Sequence, residues 1–167
     1  MKKADNSPKN FWQQLGWVSR SRPLTGDEQA LVRSVFGNQI DLSLPRICIS
    51  GWILHGYAMS PNGNVYFNRA DFKEDFSKAS LGVQAWFIHE MTHVWQVQQG
   101  IQILRRAVLD RRYQYVLQAG KQFLDYGVEQ QAQMVQDYFL RRALGQDCKP
   151  LAACLPFVGP DNGQHQA

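Results

Sequence analysis

The segment FIHEMTHVWQ, residues 87–96, carries two histidines four residues apart, with a glutamate directly after the first. On an α-helix, residues i and i+4 lie on one face, so His89 and His93 can direct both imidazoles at one metal ion. Glu90 then projects beside that ion, where its carboxylate can accept a proton from an activated water. The spacing therefore predicts a hydrolytic zinc site, and the alternative is a helix with two structural histidines.

Apolar residues on both sides of the motif favour the metal site over that alternative. They should bury the helix over much of its circumference. Two buried histidines beside a buried glutamate are costly without a partner, and a metal ion is such a partner. The apolar residues are Val83, Trp86, Phe87, Ile88, Val94 and Trp95.

The third ligand must come from elsewhere in the chain, because a catalytic zinc ion usually has three protein ligands and one water. The longer motif with a further histidine six residues after the second is absent, since Gln99 occupies that position. Glu129 is the predicted third ligand, because it begins EQQAQMVQDYF on a second long helix that can pack against the first. Asp125 is the reserve ligand. The alternative for Glu129 is an exposed glutamate favoured by the positive end of its helix.

Hydrolysis of an amide also needs a donor to the oxyanion that develops on the substrate. Tyr115 and Tyr126 are the predicted transition-state stabilisers, because they lie between the two ligand-bearing helices in the sequence. Packing in the core or at its rim is the alternative for each of them. The other candidates are Tyr113, Tyr138 and His55.

Turn and capping signals define the smaller elements that must support these helices. Thr25 and Glu28 form a predicted capping box that opens a short helix, and Gly37 can end it. A Pro-Asn-Gly turn between apolar runs predicts a hairpin. The predicted strands cover residues 46–50, 52–58 and 64–67.

Two long helices complete the predicted α+β fold, in which a small sheet supports the motif-bearing helix and a second ligand-bearing helix. The first is predicted over residues 80–99, with Ser80 as its N-cap and Gly100 as its stop. The second is predicted over residues 121–144, entered near residue 126. Residues 101–117 between them suit either a helix or an extended ribbon.

The length of 167 residues is that of one domain. Its predicted limits are residues 23–146, with a polar N-terminal tail or linker over residues 1–22 and an irregular C-terminal tail over residues 147–167. The three cysteines do not make a disulfide framework, and all are predicted to be thiols: Cys48, Cys148 and Cys154.

Composition excludes several classes of protein. The formal net charge is +4 and the basic residues are scattered, which predicts no nucleic-acid partner. No apolar run reaches the roughly 18 residues of a membrane span. The charged N-terminus lacks the apolar stretch of a Sec signal, so synthesis in the cytoplasm without that signal is expected.

The motif and the downstream segment together resemble the zincin-type metallopeptidases of the gluzincin arrangement, in which two histidines and a glutamate hold zinc. More narrowly, residues 23–144 resemble the zinc metallopeptidase-like domains attached to VgrG spike and Rhs proteins of bacterial type VI secretion and related contractile injection systems. The resemblance is carried by PLTGDEQALVRSVFG, NGNVYFN, FIHEMTHVWQVQQG, YQYVL and YGVEQQAQMVQDYF.

This resemblance implies one zinc ion per chain on His89, His93 and Glu129, with Glu90 as general base and acid. Gluzincins often have an aspartate four residues after the glutamate ligand that orients a histidine, and Gln133 stands there instead. An amide oxygen can accept a histidine N–H but adds no negative charge.

The resemblance also implies a substrate-binding strand and a role in secretion. An edge strand in zincins pairs with extended substrate backbone, and its expected counterpart is Asn64, Val65, Tyr66 and Phe67. The expected substrates are a peptide, a protein or peptidoglycan, and the expected partners are a secretion spike and an immunity protein. Delivery by type VI secretion into a target cell, into its periplasm, is expected.

Two other classes of function remain open from the sequence. One is a non-catalytic, metal-binding structural or interaction component of an injection system. The other is a basic interaction module that binds no metal.

Overall fold

A mixed four-stranded sheet forms one layer of the fold in the computed structural model, which describes residues 18–103 and 112–158. The sheet order is β1-β2-β4-β3, with β1 antiparallel to β2, β2 parallel to β4, and β3 antiparallel to β4. Every residue of β4 is buried. The strands are β1 Val18–Pro23, β2 Arg46–Ser50, β3 Ala58–Met59 and β4 Val65–Phe67.

Four α-helices in the described residues pack with this sheet, which confirms the predicted α+β class. Two short 3₁₀ turns, Phe76–Lys78 and Phe123–Asp125, precede the two longer helices. None of the described helices is long and apolar enough to cross a membrane. The helices are α1 Gly26–Phe36, α2 Leu81–Gln98, α3 Val128–Ala143 and α4 Lys149–Cys154.

The predicted start of α1 and the predicted bounds of α2 are confirmed. The Thr25 side chain accepts from the Glu28 N–H, while the Glu28 side chain accepts from the Thr25 N–H, so the capping box is present. Helix α2 follows Ser80 and ends at Gln98. Helix α3 is shorter than predicted and begins only at Val128, after a 3₁₀ turn and an extended residue.

A stack of aromatic rings joins the sheet to α2. The rings of Phe67 and Phe76 have centroids 4.6 Å apart, and those of Phe76 and Phe87 lie 4.8 Å apart with their planes nearly parallel. Trp86 packs edge-on against Phe67, with ring centroids 5.1 Å apart. Because aromatic burial contributes strongly to core stability, this stack holds the motif-bearing helix against β4.

Strand β1 lies partly in the segment predicted to be a tail. It pairs with β2 from Val18 to Pro23, so the prediction for residues 1–22 is wrong for residues 18–22. The strand lies at the sheet edge, and none of its residues is buried. Because its residues do not alternate between apolar and polar, the sequence carries no strand pattern there. Residues 1–17 of the predicted tail lie outside the described residues.

The segment after residue 147 also differs from the irregular tail predicted there. Helix α4 forms in it, and Leu151, Leu155 and Phe157 are buried in the core. The ring of Phe157 lies 4.6 Å from that of Phe36 and 5.4 Å from that of Trp95, measured between centroids. The segment is too short for its few apolar residues to show a helical periodicity. In the structure they complete the core next to Trp95 of α2.

The strand predicted over residues 52–58 is mostly a loop. Asp71 fixes it by accepting from the Gly56 N–H at 2.7 Å and by contacting His55 Nδ1 at 2.8 Å. Gly56 has a φ of 80°, which is compatible with this turn and not with a strand. Of residues 101–117, the part over 112–117 forms neither a regular helix nor a strand, and 104–111 lie outside the described residues.

A buried carboxylate ties β1, α1 and the first 3₁₀ turn together. The two oxygens of Glu28 accept from the Arg22 guanidinium at 2.7 and 2.7 Å. They also accept from the backbone N–H groups of Thr25 and Phe76, at 2.8 and 2.8 Å. Because a buried charge is tolerated only when it is paired and hydrogen-bonded, this cluster depends on every partner.

We therefore expect Glu28→Gln to lower the free energy of unfolding by about 3 kcal/mol, since it leaves a buried guanidinium without its countercharge. Urea unfolding followed by circular dichroism measures this. The matched control is Glu74→Gln, which removes the exposed partner of Arg20 on the same strand. It should leave stability almost unchanged, and equal losses for the two variants would contradict the account of the cluster.

Candidate metal site

Helices α2 and α3 bring the two histidines and Glu129 together. His89 Nε2 and His93 Nε2 lie 3.4 and 3.3 Å from the same oxygen, Glu129 Oε2. One ligand atom from each residue lies within 4.8 Å of the others. Two ligand atoms that are each about 2.1 Å from a tetrahedral ion are about 3.4 Å apart, so the cluster has the size of a single metal site.

The charges within this cluster support one another. Burial raises the pKa of Glu129, but the contacts with His89 and His93 outweigh it and hold that pKa well below its usual range. Burial lowers the pKa of His93, yet hydrogen bonding to Glu129 and the charges of Glu90 and Glu129 raise it overall. The carboxylate is thus favoured in its ionised form in a largely buried place, and a metal cation that binds there would displace protons from the imidazoles.

Glu90 lies in the same buried region but outside the three-residue cluster. Its Oε2 accepts a hydrogen bond from the Ser60 hydroxyl at 2.8 Å. Ser60 is buried and follows directly on β3. The sequence predicted only a turn at this position, because no local pattern links a serine to a glutamate thirty residues later.

The histidine partner that the sequence assigned to Gln133 is supplied by a different residue. Gln133 donates its amide to Asp137 Oδ1 at 2.8 Å. His93 Nδ1 instead lies 2.8 Å from the side-chain oxygen of Gln96, on the same helix. The spacing of three residues between His93 and Gln96 is the sequence signal that places the two side chains next to each other.

The two tyrosines predicted to stabilise a transition state make other contacts. The Tyr115 hydroxyl donates to Asp137 at 2.7 Å, and burial together with that carboxylate raises the pKa of Tyr115 well above its usual range. The Tyr126 hydroxyl donates to Val116 O at 3.1 Å. These bonds hold the segment 112–118 against α3.

Tyr113 is the tyrosine that the structure brings to the site. Its ring centroid lies 6.1 Å from that of His89, and about half of the residue is exposed. It also lines an open cavity of about 940 Å³ between the segment 112–118, α3 and α4. The three cluster residues do not line this cavity, so Tyr113 is the link between the cavity and the site.

The strand predicted to bind substrate has no free edge. Strand β4 pairs with β2 on one side and with β3 on the other, so Asn64 to Phe67 cannot accept another strand. The edge of the sheet at this end is β3. Because strand addition needs unpaired backbone groups, β3 is the position at which a peptide can pair, directly before Ser60.

Two further candidates lie apart from the cluster. Asp125, the reserve ligand, accepts from the Gln122 N–H at 2.9 Å and is exposed at the 3₁₀ turn. His55 is exposed beside Asp71 in the loop before β3. Neither belongs to the group of possible metal ligands found among the described residues.

Comparison with known proteins identifies relatives of this domain. No family profile matches the chain. It is 41% identical over 133 residues to the type VI secretion system spike protein VgrG2b of Pseudomonas aeruginosa, an alignment that covers 72% of this chain but 13% of that protein. The solved effector domain of Pseudomonas aeruginosa VgrG2b superimposes with a TM-score of 0.70 at 37% identity, over 84% of each chain. The chain belongs to the VgrG2b effector-domain family.

This membership confirms the part of the sequence prediction that concerns VgrG-associated effector domains. The chain has the extent of the VgrG2b effector domain and only a small fraction of the length of the whole spike protein. The VgrG2b effector-domain fold is thus the scaffold that brings His89, His93 and Glu129 together.

Removal of the third ligand tests the metal site. We expect Glu129→Gln to weaken Zn²⁺ binding by more than about 100-fold, since losing a ligand costs more than losing an outer partner of a ligand. Competition with a chromophoric chelator measures the affinity. The control is Asp125→Asn, at an exposed carboxylate that accepts from the Gln122 N–H, and it should bind Zn²⁺ like the parent protein. Equal weakening in both variants would contradict the assignment of Glu129.

Proposed function

We propose that this domain is a zinc metallopeptidase of the zincin-like, gluzincin type, delivered as a type VI secretion effector. The observation that carries the proposal is the convergence of His89, His93 and Glu129 on one point, beside a buried Glu90 that Ser60 holds. Two imidazoles and one carboxylate are the ligand set of a well-known class of catalytic zinc sites.

The ligand residues fit zinc in type, spacing and charge. His89 and His93 would hold the ion through Nε2, and Glu129 through Oε2, since these atoms face one another. When bound there, zinc supplies a Lewis acid that polarises a carbonyl group and makes a water molecule more acidic.

The remaining steps belong to side chains of the chain itself. Glu90 accepts a proton from the attacking water and then delivers it to the leaving amine. Ser60 fixes one oxygen of that carboxylate and thereby sets its direction. Tyr113 replaces Tyr115 and Tyr126 as the proposed donor to the developing oxyanion, because it is the tyrosine that lies against His89.

The proposed substrate is an amide in a peptide, a protein or a peptidoglycan cross-link. Its backbone would pair along the free edge of β3, which leads directly to Ser60 and hence to Glu90. This position replaces the one predicted at Asn64 to Phe67. The open cavity beside Tyr113 offers room for the part of the substrate that extends beyond the scissile bond.

The proposed route to the substrate follows from the relatives. VgrG2b is a type VI secretion spike protein, so this domain would be carried by a secretion spike into a target cell and act in the periplasm. A cell that makes such an enzyme would need an immunity partner. These partners, like the enzyme activity, are part of the proposal.

Glu90→Gln tests the proposed catalysis. The amide cannot accept a proton from water, so growth inhibition by periplasm-directed protein should disappear, while Zn²⁺ content stays at one ion per chain. Growth curves and metal analysis of the purified variant measure the two properties, and cytoplasmic expression of the parent protein separates the compartments. Undiminished toxicity of Glu90→Gln would favour a non-catalytic, metal-binding component instead.

Ser60→Ala tests the positioning of Glu90. Loss of the hydroxyl frees the Glu90 carboxylate without touching a ligand, so we expect about a 10-fold lower kcat with unchanged Zn²⁺ affinity. Hydrolysis of a peptide or peptidoglycan fragment that the parent protein cleaves is the assay. Ser77→Ala, at a serine whose hydroxyl bonds Asp75 and not Glu90, is the matched control. A kcat for Ser60→Ala equal to that of the control would show that Ser60 does not position Glu90 for catalysis.

A further inference from the structure

Two fully buried glutamines connect the metal site to the beginning of α3. Gln96 Nε2 lies 3.0 Å from Val128 O and 2.8 Å from Gln131 Oε1. Gln131 Nε2 lies 2.7 Å from Tyr126 O. Both side chains have no solvent exposure. With His93 Nδ1 at 2.8 Å from Gln96 Oε1, the contacts form an unbroken chain from a ligand to the backbone.

The direction of every hydrogen bond in this chain follows from two backbone carbonyls. A carbonyl oxygen can only accept, so the Gln131 atom that faces Tyr126 O must be its amide nitrogen. Its other atom is then the oxygen, which accepts from Gln96. The Gln96 atom that faces Val128 O must likewise be nitrogen, and this leaves the Gln96 oxygen against His93.

An oxygen at that place requires a proton on His93 Nδ1. The amide oxygen of Gln96 cannot donate, so the close contact with Nδ1 is a hydrogen bond only when Nδ1 carries hydrogen. His93 Nε2, which faces Glu129, is then the ring atom that can present a lone pair to a metal. The orientation of the buried amides therefore selects the ring nitrogen that serves as ligand.

His89 has no such support among the described residues. Its Nδ1 is buried without a hydrogen-bond partner there. The two histidines are therefore unequal on their Nδ1 sides, because a fixed amide contacts His93 Nδ1 and no described residue hydrogen-bonds His89 Nδ1. His93 is the ligand whose geometry is set before a metal arrives.

We propose that Gln96 and Gln131 are positioning residues that fix the tautomer of His93 and hold the first turn of α3, with Glu129, at ligand distance from α2. Val128 O, which accepts from Gln96, belongs to the residue immediately before Glu129. One amide thus contacts a ligand on one helix and the neighbour of a ligand on the other. The inference rests on the proposed metal site and not on hydrolysis.

Glutamine suits this position because it is neutral and can donate and accept at once. A glutamate at 96 would accept from His93 but would place an oxygen against Val128 O. A leucine of similar volume would leave His93 Nδ1 and the Gln131 oxygen without these partners, and Val128 O would keep only its helical hydrogen bond. Unsatisfied buried polar groups are costly, so this chain works only with all its members present.

The test compares three amide-to-leucine variants by Zn²⁺ affinity. Gln96→Leu should weaken binding about 10- to 100-fold, the usual effect of losing an outer partner of a ligand. Gln131→Leu should weaken it less, because Val128 O still orients Gln96. The matched control is Gln84→Leu on the same helix, whose amide donates to Ser77 O and Ala79 O at 2.8 and 2.9 Å, away from the site. It should lower the unfolding temperature and leave the affinity unchanged.

A spectroscopic measurement separates positioning from simple loss of stability. Long-range ¹H–¹⁵N spectra of histidine-labelled, metal-free parent protein should show a slowly exchanging proton on His93 Nδ1. That proton should exchange faster in Gln96→Leu but not in Gln84→Leu. The parent measurement needs no variant to fold, and an unprotonated Nδ1 in it would overturn the proposal.

An affinity of Gln96→Leu within twofold of the parent protein would also overturn it. Failure of the proposed enzyme activity is a different result. Protein that binds Zn²⁺ and shows the protected Nδ1 proton, but cleaves nothing, would refute the peptidase and support the positioning role. Cleavage by a protein whose His93 Nδ1 proton exchanges freely would support the peptidase and refute the positioning role.

Discussion

The packing of α2 against α3 is the contact on which the site depends. In the proposed site, helix α2 supplies two metal ligands and the catalytic carboxylate, but the third ligand, Glu129, lies in the first turn of α3. A shift of one helical turn, about 5.4 Å, would move that carboxylate out of reach of both imidazoles. The proposed metal site therefore requires one particular register between α2 and α3. Close packing of buried side chains on both helices, including Met91 and Met134, fixes that register.

Much of the fold was predictable where the sequence carries a local signal. The capping box at Thr25, the buried helix after Ser80 and the turn before β4 each follow from residues close to one another in the chain. Strand β1 has no such signal, because its stability comes from backbone pairing with β2 and from side-chain bonds to Glu28 and Glu74 on other elements. The same holds for the C-terminal segment. Leu151, Leu155 and Phe157 form no recognisable pattern in the sequence, and the contacts of Phe157 with α1 and α2 appear only in the folded structure.

The cluster of His89, His93 and Glu129 was predictable, but the side chains that contact the proposed site residues were not. Histidines at i and i+4 must share a helix face, and a glutamate at the start of the next long helix is a strong candidate. Ser60, Gln96 and Gln131 carry ordinary polar side chains, and their roles arise from contacts between elements that no spacing rule describes. The interior position of β4, the expected substrate-binding strand, was not predictable for a related reason, since only the sheet order reveals it.

The burial of Phe157 against Phe36 and Trp95 has a consequence for the order of events during synthesis. Trp95 lies two residues after His93, and its ring is covered by Phe123 and by Phe157 of the C-terminal segment. A polypeptide that leaves the ribosome from its N-terminus cannot close this core until that late segment has emerged. Closure of the core behind the proposed metal site therefore waits for a segment that follows both α2 and α3 in the chain.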